Sequence, residues 1–310
     1  MERIIGKYTQ GLPGPLLVCI GGMHGNERAG IRAIDLILKM LEVEPITNPD
    51  FIFRGNFIGL VGHVAASIQG VRFLDRDLNR LWTKEKMDSL LEIEFSSLVG
   101  DDLELYELEK TIRDEIQITG SKEVVILDLH TTSASGGIYT IVPDDYDTIE
   151  LAKGLMAPVV LGMLEGLQGT TLHYFKSENF SVPVKSLCFE AGQHNDPLSV
   201  NRAIAVIINC LRQLGCIQAK DIESRHLNIL RDYAIDLPEV TRLVYRHAIL
   251  PTDQFKMLSG FGNFDPVSEG QLLAKDIHGD IQAIVTGFIL MPLYQLQGED
   301  GFFIVKSIES

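Results

Sequence analysis

"PLLVCIGGMHGNERAG", residues 15–30, runs from an apolar stretch straight into a glycine-rich turn that carries His24 and Glu27. The apolar part, 15–22, reads as a buried strand. The stretch that follows, "AGIRAIDLILKMLE" (29–42), has helical periodicity, with Ile31, Ile34, Leu36, Ile37 and Leu41 largely on one side. A strand, a glycine turn and an amphipathic helix make one unit of an α/β sheet. The turn itself has two readings. It is a polar loop, or it is half of a metal site, because a histidine and a glutamate three residues apart are both metal-competent. H-x-x-E is too common to decide the matter alone.

The rest of the chain repeats the alternation. "FIFRGNFIGLVG" (51–62), "EVVILDLH" (123–130), "GGIYTIVP" (136–143) and "VKSLCFEAG" (184–192) read as strands. A helix is expected around 148–166, and another over "LSVNRAIAVIINCLRQLG" (198–215). Residues 85–119, dense in acids around Leu90, Leu91, Leu103, Leu105 and Leu108, read as one or two helices with a solvated acidic face. The expected fold is therefore α/β, a mixed sheet with helices on both faces. After about residue 220 the texture changes to short strands with turns at "EG", "HGD" and "GED". Two domains are expected: an α/β domain over 1–220 and a small β-rich C-terminal domain over 221–310.

Composition excludes several classes of function. Among 310 residues, 45% are hydrophobic and 22% charged, which is ordinary for a globular protein. A formal net charge of −15 argues against nucleic acid or an anionic membrane as partner. No apolar run reaches the roughly 20 residues of a membrane span, and "MERIIGKYTQGLPGP" (1–15) lacks the apolar core of a signal peptide. The 4 cysteines, Cys19, Cys188, Cys210 and Cys216, lie in apolar contexts and read as reduced thiols. A cytoplasmic protein is the expectation.

In open α/β sheets chemistry collects where strands end, and His24, His130 and Glu190 all fall there. Two imidazoles and one carboxylate suit Zn²⁺ and leave a fourth position open, the pattern of a catalytic site. Asp128, two residues before His130, faces the same side of its strand. It is placed either to orient the His130 ring or to bond a neighbouring loop. Glu190 ends an apolar strand, where a carboxylate needs a partner or a raised pKa. It is a general base beside a metal-activated water, or a structural ion pair. "VRFLDRDLNRLW" (71–82) gathers Arg72, Arg76 and Arg80 in an acidic chain, with Asn79 beside Arg80. Arginine grips carboxylates bidentately. Part of the cluster, Arg76 above all, is expected to pair with Asp75 and Asp77 on the surface. His194 reads as a turn histidine bonded to backbone or as a residue lining the pocket mouth, and Trp82 as packing behind the arginine loop.

H-G-N-E-x-x-G (24–30), "DLNR" (77–80), "DLH" (128–130) and "FEAG" (189–192), in this order, resemble the succinylglutamate desuccinylase/aspartoacylase family, which is related to the zinc carboxypeptidases. The likeness extends to the C-terminal β domain through "GNFDPVSEGQLLA" and "MPLYQ". It implies one Zn²⁺ per chain held by His24, Glu27 and His130, with Glu190 as general base and acid. It further implies that Arg72 stabilises the oxyanion and that Asn79 and Arg80 hold a substrate carboxylate. Tyr294 is the nearest match to a C-terminal tyrosine near the substrate. The activity implied is that of an amidohydrolase removing the acyl group from a small anionic N-acyl amino acid, with the C-terminal domain covering the entrance.

Two departures bear on the substrate. "KSENFSVPVKS" (176–186) has only Lys176 and Lys185 where aspartoacylases carry a further arginine, and "GHVAA" (62–66) stands in place of an Asn-Pro. Both argue against N-acetylaspartate as the specific substrate. Two other readings use the same residues: a carboxypeptidase acting on peptides, and a non-catalytic protein of the same fold that binds metal structurally.

Overall fold

A computed structural model describes residues 1–218 and 225–308. The expected boundary at 220–221 lies outside the described residues. The strands in chain order are β1 (Ile4–Thr9), β2 (Leu12–Gly21), β3 (Arg54–Val61), β4 (Val124–Thr132), β5 (Tyr139–Ile141), β6 (Val159–Leu161) and β7 (Val184–Gln193). They continue as β8 (Val240–Ala248), β9 (Lys256–Met257), β10 (Pro266–Val267), β11 (Leu272–Asp276), β12 (Gly279–Gln282), β13 (Gly287–Leu290) and β14 (Asp300–Ser307). Among the described residues, eleven strands form one sheet in the order β1-β3-β2-β4-β7-β5-β6-β8-β14-β13-β10, and β12-β11-β9 form a second.

At the centre β3, β2, β4 and β7 run parallel. Parallel strands are buried on both faces, which is why their sequences are nearly continuous apolar runs. Successive side chains alternate between the two faces. Leu17, Cys19, Val125, Leu127, Leu187 and Phe189 pack on one face with the helices Ala29–Thr47 and Leu198–Gln213. Leu16, Val18, Ile20, Ile58, Leu60 and Ile126 pack on the other with Lys84–Leu91 and Gly100–Thr119. Burying each such side chain is worth roughly 1.5–3 kcal/mol, so the two apolar layers carry the stability and the strand ends are left to chemistry.

The sheet is mixed, as the sequence implied. β5 pairs antiparallel with β7, and the C-terminal strands β8, β14, β13 and β10 continue the same sheet by way of a parallel β6–β8 pair. The expected helix around 148–166 is corrected. It is two helices, Tyr146–Lys153 and Met163–Gly166, with the strand β6 between them. Pro158 before β6 and Gly162 after it, at φ 78°, mark the interruption. The acidic stretch resolves into the separate helices Lys84–Leu91 and Gly100–Thr119. "HGD" is the expected hairpin turn between β11 and β12, with Asp276 accepting the backbone N–H groups of His278 and Gly279.

From β2 the chain crosses through helix Ala29–Thr47 to β3 on one side, while β4 lies on the other. The carboxyl ends of β2 and β4 therefore border a switch point of the topology, where a crevice opens in α/β sheets. Gly22 enters the turn after β2 at φ 71°. Gly25 lies so close to the helix Val64–Gln69 that a Cβ on it would sit 2.1 Å from the Ala66 carbonyl carbon. Gly25→Ala is therefore expected to displace the turn and cost about 1–3 kcal/mol, read as a lowered urea midpoint with an unchanged slope.

Candidate metal centre

The turn after β2 and the end of β4 bring His24, Glu27 and His130 together, with one ligand atom from each lying within 4.8 Å of the others. All three side chains are buried. Glu27 sits between the imidazoles: its Oε1 is 2.8 Å from His24 Nδ1, and its Oε2 is 3.1 Å from His130 Nδ1. The backbone N–H of Thr131 donates to the same Oε2 at 2.9 Å.

Each ring is held from behind by an aspartate. His24 Nε2 lies 3.1 Å from Asp77 Oδ1. His130 Nε2 lies 3.0 Å from Asp128 Oδ2, an ion-pair contact bent away from hydrogen-bond geometry. Asp128 Oδ2 also accepts the Thr171 hydroxyl at 2.8 Å. Asp128 thus contacts both the His130 ring and a neighbouring segment, so both of its sequence readings are met. Asp77 was expected on the surface with Arg76 and is instead buried, where it also accepts from Arg72 NH2 at 3.0 Å. Arg76 turns outward to Asp102 at 2.6 Å. Leu78, the apolar residue next in sequence, is fully buried, and this was the one signal that the segment leaves the surface.

Glu190 comes from β7, where it is the register partner of His130 on β4. It is buried, and its Oε2 has no hydrogen-bond partner among the described residues. Burial pushes its carboxyl up to about 8, with His130 and Arg72 opposing the rise and Glu27 and Asp128 adding to it. Glu27 behaves oppositely. Burial would raise it, but the imidazoles of His24 and His130 hold it well below the usual carboxylate range. Burial also opposes charge on His130, yet Asp128 and Glu27 lift it well above an ordinary histidine.

Glu27, Asp77, Asp128 and Glu190 thus share a buried space with Arg72 and the two imidazoles. A cation there would be held by buried carboxylates on several sides. The two nitrogens and one carboxylate facing each other suit Zn²⁺, and the aspartates behind the rings match the way metal-ligating histidines are supported.

Around this cluster lies a cavity of about 110 Å³ lined by His24, Glu27, Arg72, Asn79, Arg80, His130 and Glu190. Arg72 reaches Glu27 as well as Asp77, and these carboxylates raise its pKa against the effect of burial. Asn79 Oδ1 accepts the Thr171 backbone N–H at 3.0 Å, which fixes the amide so that Nδ2 is its donor end. Arg80 contacts Glu299 at 3.2 Å and Asp300 at 3.2 Å, partners that the "GED" turn did not announce.

Tyr294 departs from expectation. It is not among the cavity-lining residues, and its hydroxyl bonds the backbone carbonyls of Leu258 and Phe261. Its neighbours Leu293 and Gln295 line the cavity instead. His194 also lines it, against Thr131 Oγ1 at 2.7 Å and Gln295 at 3.3 Å, while its backbone N–H donates to the Thr132 carbonyl at 3.0 Å, so both of its sequence readings hold. Trp82 is fully buried behind the arginine loop, against Tyr174 and Phe175.

The raised Glu190 carboxyl has a measurable sign. Between its ordinary value of 4.5 and about 8, the folded metal-free chain keeps a proton that the unfolded chain has lost. Glu190 therefore subtracts stability progressively as pH rises through that window, and no further above it. Glu190→Gln removes this loss. The melting temperature of the metal-free variant should gain on wild type from pH 5 to pH 8 and then hold a constant lead, as followed by circular dichroism.

The catalytic-domain model of the succinylglutamate desuccinylase/aspartoacylase family matches residues 13–213, which include the His24–Glu27–His130 cluster, Arg72, Asn79, Arg80 and Glu190. A probable aspartoacylase of Acaryochloris marina is 30% identical over 132 residues, 42% of this chain and 39% of that protein. A succinylglutamate desuccinylase of Vibrio campbellii is 24% identical over 200 residues, 62% of this chain and 53% of that one. The matches thus span less than two thirds of either relative's own length. The crystal structure of a succinylglutamate desuccinylase/aspartoacylase from Rhodobacter sphaeroides has the same fold, with a TM-score of 0.68 at 17% identity over 96% of this chain and 87% of that one. The family model covers the greater part of the chain and all the central strands of the sheet, and the chain belongs to the succinylglutamate desuccinylase/aspartoacylase family.

Proposed function

We propose that this protein is a zinc-dependent amidohydrolase that removes the acyl group from a small N-acyl amino acid, with one Zn²⁺ per chain held by His24, Glu27 and His130. The observation that carries the reading is the convergence of those donors in one cavity with Glu190, whose Oε2 has no hydrogen-bond partner among the described residues, and with Arg72. Bound there, Zn²⁺ supplies Lewis acidity at the scissile carbonyl and makes a water acidic enough to ionise near neutral pH.

The chain's own groups do the rest. Glu190, whose Oε2 has no hydrogen-bond partner among the described residues, takes a proton from the attacking water at Oε2 and hands it to the leaving amine. Arg72, pinned by Glu27 and Asp77, keeps its guanidinium in place for charge developing on the carbonyl oxygen. Asn79 Nδ2 and the Arg80 guanidinium hold the substrate carboxylate. Asp77 and Asp128 fix the two rings, so that no reorientation is needed as the reaction proceeds. Leu293, Gln295, Glu299 and Asp300 from the C-terminal part, 221–310, close in on the cavity. That narrowing favours a small amide over a peptide and is the reason the carboxypeptidase reading ranks second. Among the described residues no helix is long and apolar enough to cross a membrane.

Glu190→Gln should lower kcat by about 10²–10⁴-fold while metal content, read by atomic emission, stays at one zinc per chain; undiminished turnover would refute the mechanism. Chelation should abolish hydrolysis yet leave the far-ultraviolet circular dichroism spectrum in place, because the two apolar layers lie away from the cluster. Unfolding on chelation would instead support a structural metal.

A further inference from the structure

We infer that the amino acid released by this site carries an apolar side chain and no second charge, an inference that rests on the hydrolase reading above. A carboxylate held by Asn79 and Arg80 fixes the adjoining carbon of the substrate beside the segment 164–172. That segment is tied to the arginine loop by Thr171 N–H on Asn79 Oδ1 (3.0 Å) and by Trp82 N–H on the Gly169 carbonyl (2.9 Å). A side chain on that carbon points at whatever lines the cavity there.

The lining is apolar except for Thr170, whose hydroxyl lies 2.7 Å from His173 Nδ1. Leu164, Leu167 and Leu172 come from the segment, Ile141 and Cys188 are cross-strand partners on β5 and β7, and Phe303 comes from β14. Cys188 precedes Glu190 by two residues and shares its face of the strand, so this wall adjoins the reacting carbonyl.

Charges around the wall reinforce the choice. Among the described residues, the only arginines and lysines lining the cavity are Arg72 and Arg80, the first committed to Glu27 and Asp77. Lys176 lines a separate surface cleft beside Trp82, and Lys185 pairs with Glu123. A second substrate carboxylate would be desolvated without a cation to meet it, in sight of Glu190, Glu299 and Asp300. A cationic side chain finds no free acid on the wall either. Asp300 is paired with both Arg80 and Arg246, and Glu299 stands at the exposed rim.

The test is calorimetric titration of the zinc-loaded protein with L-leucine, L-phenylalanine, L-aspartate, L-glutamate and L-lysine, together with kcat/KM for their N-acetyl derivatives. Leucine or phenylalanine should bind at least about tenfold more tightly than the charged amino acids, and their derivatives should be cleaved with a similar preference. Leu167→Arg, at a half-buried position where the guanidinium can reach water, should erode that preference and improve binding of aspartate; Leu167→Met should retain it. Equal or tighter binding of any charged amino acid, or binding of none of the series, overturns the inference. Preferred cleavage of the acidic derivatives overturns it while leaving the hydrolase reading intact. Binding of leucine without cleavage of any derivative leaves the apolar subsite standing and removes the hydrolase reading.

Discussion

The register between β4 and β7 is the constraint on which the site depends. It sets His130 opposite Glu190 and carries Asp128 and Cys188 on the same face, one pleat deeper. A slip of one residue would turn every one of these side chains to the opposite face of the sheet. Apolar residues oppose the slip. Leu127 and Leu187, and likewise Leu129 and Phe189, are paired on the face covered by the helices Ala29–Thr47 and Leu198–Gln213. Shifting either strand would expose them to the polar crevice and drive its charged residues into that core. The polar geometry on one face is thus dictated by apolar packing on the other.

Holding so many carboxylates out of water is unfavourable, and the site meets that cost locally. Each aspartate behind a ring has a second hydrogen-bonded contact, Arg72 for Asp77 and the Thr171 hydroxyl for Asp128. Glu27 is satisfied by two imidazoles and a backbone N–H. Glu190 Oε2 is left short, and burial answers by favouring the protonated form. The group proposed to move a proton is thus kept unengaged at that oxygen.

The central strands were legible because burial on both faces writes itself as an unbroken apolar run, and the histidines and Glu190 stood out as polar residues ending such runs. β6 was not legible. At three residues it is too short to show a period, and it lies between two helical stretches. Asp77 was misplaced because its neighbours Arg72, Arg76 and Arg80 make any acid nearby look like a surface partner, and sequence does not tell which arginine turns inward. Tyr294 failed for a related reason. Its segment does approach the cavity, but which of Leu293, Tyr294 and Gln295 faces inward is decided by chain direction there, and Tyr294 is drawn off by the Leu258 and Phe261 carbonyls. Contacts between residues 80 and 299 or 300 depend on the closed sheet and leave no local trace.

The parallel pairing of β6 with β8 makes the C-terminal strands an extension of the sheet that carries Glu190. Swinging these strands aside as a body would tear the hydrogen-bonded β6–β8 ladder. Traffic through the mouth then falls to the connection between β13 and β14, which holds Leu293, Gln295 and Glu299 and ends at the Arg80 ion pairs. In the hydrolase proposed above, breathing of that short connection, against the strength of two ion pairs, would set how fast a product leaves.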